Sequence, residues 1–385
     1  MAKTVINRLG IWAVYLVTLA ITGFYPQPHA PAPGGDRPRV EMVFVLDTTG
    51  SMGGLLDAAR QKIWSIATTL ASARPTPEIR LGLVAYRDRG DEYVTRVIDL
   101  SRNLDQVYAA LMDLQAAGGG DRPESVHQAL YEAVHHISWS DSPASYRSIF
   151  LVGDAPGHTR HAALASYRDI VQAALHKDIV VNTIQAGQHP ATRNQWQSIA
   201  AAGQGTFLRV DHSGNPVAIG TPYDRPMAEL SRSMDETWLG YSESAEARAV
   251  DSARFHQSAS LSSRARRAAF MAKPGTETNW LGDGDLLRDL DSGAVRLDDI
   301  PEAGLPPALR QLTEAQRQQK LSALSSHRAQ LKRQLAQLSQ QRDAYLASRL
   351  AATGGDAGSL DRKLFEAVQT QALEKGIRYE SGPSY

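Results

Sequence analysis

The chain has 385 residues, 42% of them hydrophobic, with 41 basic and 41 acidic side chains. That length exceeds one small core and suits a large domain with extensions. Balanced charge provides no overall field for nucleic acid or an anionic membrane, and the absence of cysteine excludes disulfides, thiol catalysis, Cys-ligated zinc and an acylated lipoprotein anchor.

Lys3 and Arg8 precede an apolar run from Ile11 to Phe24, and Pro26, Pro28, Pro31 and Pro33 follow it. A basic start, a short apolar core and a polar exit read as a secretory signal over residues 1–30 or, if it stays uncleaved, an N-terminal anchor. The run is shorter than the ~20 residues of a membrane span. His29-Ala30 is a fair cleavage point, because Pro28 stands where a small residue is preferred. Export to the periplasm, the cell surface or the medium is the expectation. Residues 31–38 then form a Pro/Gly-rich linker.

Beyond the linker, strand-like and helix-like stretches alternate. Val40–Leu46, VEMVFVL, is apolar and β-branched over the length of a strand. Leu55–Leu70 has apolar residues at helical spacing. Ile79–Tyr86 and Val94–Leu100 read as strands, and Asp105–Ala116 and Ser125–Ile137 as helices. Ser148–Gly153 is a fully apolar strand. His161–His176 reads as a helix, Ile179–Gln185 as a strand, Asn194–Ala202 as a short helix and Thr206–Val210 as a last strand. Met227–Leu239 would close the domain as a helix.

Apolar strands alternating with helices predict an α/β fold: a doubly wound, mostly parallel sheet with helices on both faces. The predicted domain spans 39–240. Residues 241–308 show no clear period and are expected to hold short elements; Arg264, Arg266 and Arg267 there read as a solvated basic face. Residues 309–385 are expected to form a helical C-terminal extension. Its long Gln-rich helix carries Leu324, Leu331, Leu338 and Tyr345 every seven residues. Arg328 and Arg342 interrupt the adjacent line of Leu321 and Leu335, which argues against a strong free-standing coiled coil. Gly376 is placed to cap the last short helix.

Doubly wound sheets bind ligands at the carboxyl ends of their strands, where the strand order reverses. Three segments carry suitable chemistry there. Asp47-Thr48-Thr49-Gly50-Ser51 offers one carboxylate and two hydroxyls at alternate positions. Gly118-Gly119-Gly120-Asp121-Arg122-Pro123-Glu124 is a glycine-rich loop with two carboxylates. Asp154 ends the strand SIFLVG. All are hard oxygen donors, suited to Mg²⁺, with Mn²⁺ or Ca²⁺ as alternatives, rather than to zinc. Neutral hydroxyl ligands leave such an ion Lewis-acidic toward an outside carboxylate.

In these three motifs the chain resembles the von Willebrand factor A family, in its bacterial exported form. That family's metal-ion-dependent adhesion site uses D-x-[ST]-x-S, then a Thr or an acid in the next loop, then an Asp after the fourth strand. Asp47, Thr49 and Ser51 match the first part and Asp154 the last. The middle loop, D-R-P-E, resembles the integrin β-subunit version instead of the usual Thr. The resemblance implies a metal held by Asp47, Thr49, Ser51 and Asp154, with Glu124 as the better middle ligand and Asp121 as the alternative. It implies a protein-binding module rather than an enzyme, whose ion is completed by an Asp or Glu of the partner.

Other readings of the same residues are weaker. Asp47 and Ser51 are good helix N-caps, but capping does not account for Asp154 or the acidic loop. LDTTGS differs from the aspartic-protease turn by an extra Thr, and the second copy that a carboxyl dyad needs is absent. An Mg²⁺-dependent phosphohydrolase would carry an acid at position 49. His158 and His161 lack a third nitrogen or sulfur ligand and read as rim residues, and His135 and His136 as surface and packing positions. A structural alternative remains, in which the long C-terminal helix joins copies of the chain into a homo-oligomer.

Overall fold

The computed structural model describes residues 37–385, apart from 121–122, 159–164, 215–218, 242–244, 353–355 and 357. The expected signal over 1–30 and Asp121 lie outside the described residues, as does His161.

The sheet has six strands in the order β3-β2-β1-β4-β5-β6. They are β1 (Arg39–Asp47), β2 (Glu78–Tyr86), β3 (Thr95–Ser101), β4 (Ser145–Gly153), β5 (Ile179–Ala186) and β6 (Gln204–Val210). β1 runs parallel to β2 and β4, β4 to β5 and β5 to β6, while β3 is antiparallel to β2. The expected doubly wound sheet is therefore present. Strand order reverses between β1 and β4, and the crevice at their carboxyl ends is where such a sheet takes a ligand. β1 and β4 are buried along almost their whole length. Continuous apolar runs suit them because both faces are covered.

The helices that cover the sheet include α1 (Gly53–Ala71), α2 (Leu104–Asp113), α3 (Val126–His135), α4 (Tyr167–His176), α5 (Pro190–Ala202) and α6 (Asp224–Glu236). One buried cluster joins α1, α2 and α6 to one face of the sheet. A second joins α3, α4 and α5 to the other.

Residues 241–308 contain more helix than their weak periodicity suggests: α7 (Ala245–Ser258), α8 (Leu261–Met271), and the short α9 (Glu277–Trp280) and α10 (Leu286–Asp291). α8 packs against both α1 and α6. It is buried on several sides at Ala265, Ala268, Ala269, Phe270 and Met271, so no one-sided stripe marks it. Trp64 of α1 meets Phe255 of α7 and Phe270 of α8, with ring centroids 5.6 Å apart in each case. The expectation of a solvated basic face at Arg266 and Arg267 is corrected here, because both are buried. Arg267 donates to Asp105 at 2.7 Å and to Asp235 at 2.9 Å, and these two acids explain why it is tolerated inside.

After the single turn of α11 (Pro307–Arg310), the long helix α12 (Glu314–Ala352) packs along α6 and α8, and α13 (Leu360–Ala372) returns onto α1. The buried positions of α12 are Leu321, Arg328, Leu331, Leu335, Ser339, Arg342 and Leu346. The two arginines that interrupt the apolar line thus face inward. Arg328 donates to Asp285 at 2.6 Å and to Thr237 at 2.8 Å, and Arg342 donates to Asp224 at 3.0 Å and to the carbonyl of Tyr385. Gly376 takes a left-handed φ of 73° at the end of the last helical turn. Among the described residues no helix is long and apolar enough to cross a membrane.

Candidate metal centre

Asp47 is the last residue of β1, and the chain leaves the strand there through a single 3-10 turn, Gly50–Met52, into α1. The N-caps are Thr49 for the turn and Met52 for α1, and neither makes a side-chain capping bond. The polar side chains of this loop are therefore not used as caps. Instead Asp47 Oδ1 accepts from the Thr49 backbone at 2.9 Å and from the Thr49 hydroxyl at 2.6 Å, and the Thr49 and Ser51 hydroxyls lie 3.5 Å apart. The three residues of the first motif thus converge. Thr48 turns away, donating to the Tyr86 carbonyl at the end of β2.

The second loop reaches Thr49 through two glycines. Gly118 and Gly119 have φ of 75° and 72°, which L side chains rarely adopt. A Cβ on Gly119 would lie 2.6 Å from the Thr49 Cβ and 3.2 Å from Glu124 Oε1. Only a bare backbone fits between those side chains. The Gly118 carbonyl accepts from Gly50 N at 3.1 Å and Thr48 O accepts from Ala117 N at 3.0 Å, which fastens this loop to the first.

Glu124 is fastened in turn to the third loop. Its amide donates to Pro156 O at 3.0 Å and its carbonyl accepts from His158 N at 3.1 Å. Asp154 follows β4, and its carbonyl accepts from the Thr192 hydroxyl at 2.9 Å. A Cβ on Gly153 would stand 2.9 Å from Asp47 Oδ2, so the first and last loops also meet closely. Asp47, Thr49, Glu124 and Asp154 are all buried, whereas Ser51 is exposed at the mouth.

The electrostatics match this burial. Burial pushes the Asp47 carboxyl from 3.8 up to about 7; the Thr49 hydrogen bonds oppose the rise and Asp154 adds to it. Burial likewise raises Glu124 to about 8, helped by the charges of Asp47, Asp88, Asp91 and Asp154. Asp47 Oδ2 and Glu124 Oε2 are buried acceptors with no hydrogen-bond partner. A divalent cation would fit this imbalance, since it would supply positive charge and oxygen-seeking coordination where carboxylates crowd out of water. Among the described residues no three Asp, Glu or His side chains close a metal cage by themselves. A cation here would depend on the Thr49 and Ser51 hydroxyls as much as on the acids.

Two rim features are not part of the three motifs. The loop after β2 contributes Asp88, whose Oδ1 accepts from the Ser125 hydroxyl at 2.9 Å and from His158 Nε2 at 2.8 Å. Burial alone would raise this carboxyl, but these bonds and one from the Arg89 backbone hold it below the usual range. Asp91 in the same loop accepts from Gly119 N at 3.1 Å. His212, just after β6, places Nδ1 3.8 Å from Asp154 Oδ2. The signal available for all three was position, since each follows the carboxyl end of a strand pointing into the crevice. His158 is partly buried against Asp88 at this rim, while His135 and His136 are surface residues at the C-terminal end of α3 that pack on Tyr131.

Comparison with known proteins adds a family. A profile described as von Willebrand factor A domain matches residues 41–212. An ariadne-like RING finger protein of Acanthamoeba polyphaga mimivirus is 24% identical over 155 residues, 40% of this chain and 15% of that protein. The alpha-protein kinase vwkA of Dictyostelium discoideum is 26% identical over 121 residues, 31% of this chain and 19% of that one. The match thus spans less than a fifth of either relative. Among solved structures, the proximal thread matrix protein 1 of the mussel byssus is 14% identical with a TM-score of 0.35, covering 46% of this chain and 42% of that one. The VWA domain of SpRpn10 is 14% identical with a TM-score of 0.34, covering 46% and 89%.

Proposed function

We propose that the von Willebrand factor A domain matched over residues 41–212 is a protein-interaction module that binds its partner through a divalent cation, most simply Mg²⁺. Asp47, Thr49 and Ser51 would hold the ion, with Glu124 and Asp154 beside it, directly or through water. The ion supplies Lewis acidity toward an acidic side chain of the partner. The residues of the chain do the rest: Thr49 orients Asp47, Gly119 admits Glu124 to the same point, and Ser51 leaves the mouth open to solvent. The observation that carries the proposal is the pair of buried carboxylate oxygens, Asp47 Oδ2 and Glu124 Oε2, that no donor satisfies.

Recognition is proposed over turnover because position 49 is a Thr, where a phosphohydrolase of this type needs an acid for proton transfer. The oligomerising role of the C-terminal helix has less support, since the inward stripe of α12 is spent on α6 and α8 of its own chain. Display outside the cytoplasm is proposed from the basic-apolar-polar pattern of residues 1–30.

Calorimetric titration of Mg²⁺ and Mn²⁺ into the wild type and Asp47→Ala tests the site. Saturable binding to the wild type that is lost in the variant is expected. Equal binding by both would sink the assignment. Retention of a partner from envelope extract that disappears with chelator tests the role of the ion in recognition.

A further inference from the structure

Tyr86, the last residue of β2, is fully buried and is the register partner of Asp47 at the end of β1. Val45 and Val84, two residues earlier on these strands, belong to the core cluster under α3, as does Tyr86 itself. The two-residue period of strands therefore puts the side chains of Asp47 and Tyr86 on one face. It is the face on which α3 begins, just after Glu124.

The phenol extends past β1 to the next strand. Its hydroxyl reaches the Val152 carbonyl of β4 at 3.5 Å, the outer limit of a hydrogen bond, and makes no other among the described residues. A Cβ on Gly153 would lie 2.5 Å from that hydroxyl and 2.9 Å from Asp47 Oδ2. Both oxygens thus stand around the notch that a missing side chain leaves. A bond made directly or through one water spans the space between them.

The hydroxyl calls for an explanation, because phenylalanine would fill the same apolar space and a buried tyrosine normally has a firm partner. The acceptor beside it is Asp47 Oδ2, which is buried and has no donor. Asp47 Oδ1, by contrast, is held twice by Thr49. Burial raises the pKa of the phenol well above its ordinary value, and the charges of Asp47, Glu124 and Asp154 add to the rise. The group therefore keeps its proton through the neutral range and is available as a donor. The three carboxylates that act on it are those of the candidate metal centre.

Given a cation centre at Asp47, on which this inference rests, we propose that Tyr86 is its positioning residue: the hydroxyl supplies the donor that Asp47 Oδ2 lacks. With Thr49 on one oxygen and Tyr86 on the other, the carboxylate is held in a single orientation. Groups that fix a metal-binding carboxylate in this way act without touching the ion, and their loss weakens metal binding by about 10–100-fold.

The test uses the full chain. Calorimetric titration of Mn²⁺ is compared for wild type, Asp47→Ala, Tyr86→Phe and Tyr146→Phe, with urea unfolding of each in EDTA. Tyr146 serves as control: it is buried in β4, and its hydroxyl donates to Gln371 of α13 at 2.7 Å. Tyr86→Phe is expected to bind Mn²⁺ about tenfold more weakly, to change the EPR spectrum of the bound ion, and to keep the wild-type urea midpoint in EDTA. Tyr146→Phe should keep wild-type affinity. Tyr86→4-aminophenylalanine returns an N–H donor to the same ring and should recover most of the loss. Unchanged affinity in Tyr86→Phe, where Asp47→Ala abolishes binding, overturns this proposal and leaves the cation site standing. A loss of affinity that tracks a loss of stability in EDTA, or that the amino variant does not recover, marks Tyr86 as packing and overturns it as well. Wild type that takes up no Mn²⁺ overturns the site and the proposal together.

Discussion

Asp47→Asn should make the metal-free protein more stable above pH 7 while abolishing any rescue by Mg²⁺. Asp47 is 2% exposed, and burial, with a contribution from Asp154, lifts its carboxyl from 3.8 to about 7 in the folded state. Between those values the folded protein keeps a proton that the unfolded chain has released. Stability without metal is therefore greatest at the acid end of the window and falls as pH rises through it. At 1.36 kcal/mol per pH unit, the fall for this one group approaches about 4 kcal/mol by pH 8. Glu124, raised to about 8, extends the decline slightly further, although the two carboxyls share one field and their effects do not add. Asn at position 47 keeps the oxygen that accepts the two Thr49 bonds and removes the charge. Urea unfolding at pH 5 and pH 8, in EDTA and in excess Mg²⁺, measures all of this. Wild type should lose stability from pH 5 to pH 8 in EDTA and recover it with Mg²⁺. The variant should show a shallower decline and no recovery. An identical pH dependence in both proteins, or equal rescue of both by Mg²⁺, would refute the reasoning.

Further outcomes follow from the same contacts. Gly119→Ala forces a Cβ against Thr49 at a left-handed φ, and should cost at least about 1 kcal/mol in thermal unfolding and reduce Mn²⁺ affinity in calorimetry. Glu124→Gln keeps the shape but not the charge; a drop in cation affinity of about tenfold is expected, and an unchanged titration would move the middle ligand elsewhere. Arg328→Met leaves Asp285, which is fully buried, without its counter-ion and should cost about 3–5 kcal/mol in denaturant unfolding, partly restored by Asp285→Asn. Removal of residues 310–385 uncovers core contacts of Leu331, Leu335, Phe365 and Val368, so the shortened chain should lose cooperative unfolding by calorimetry rather than change its assembly state in sedimentation.

The fold and the site were legible in the sequence to different depths. β1 and β4 declare themselves because a strand covered on both faces must be largely apolar, and VEMVFVL and SIFLVG are, with Glu41 and Ser148 as the exceptions. Their carboxyl ends then point to Asp47 and Asp154, since a doubly wound sheet gathers its functional loops there. The antiparallel setting of β3 was not legible. Parallel and antiparallel edges differ in hydrogen bonding, which a short run such as Val94–Leu100 does not encode. Asp88, Asp91 and His212 also escaped notice, because each belongs to a loop with no recognisable motif and gains its role only from the neighbours that the sheet brings to it.

The sequence alone determined the local matters: which segments are strands, which loops end in hard oxygen donors, and where a glycine must stand. Each depends on side-chain chemistry within a few residues. The tertiary structure alone decided what the charged residues of the second half do. Arg328 and Arg342 interrupt an apolar stripe in sequence, yet they anchor α12 through Asp285 and Asp224, which lie 43 and 118 residues away. Arg267 meets Asp105 across 162 residues. A buried charge is tolerable only beside its counter-charge. Where that counter-charge lies far off in the chain, spacing holds no trace of it, and the fold has to bring the pair together.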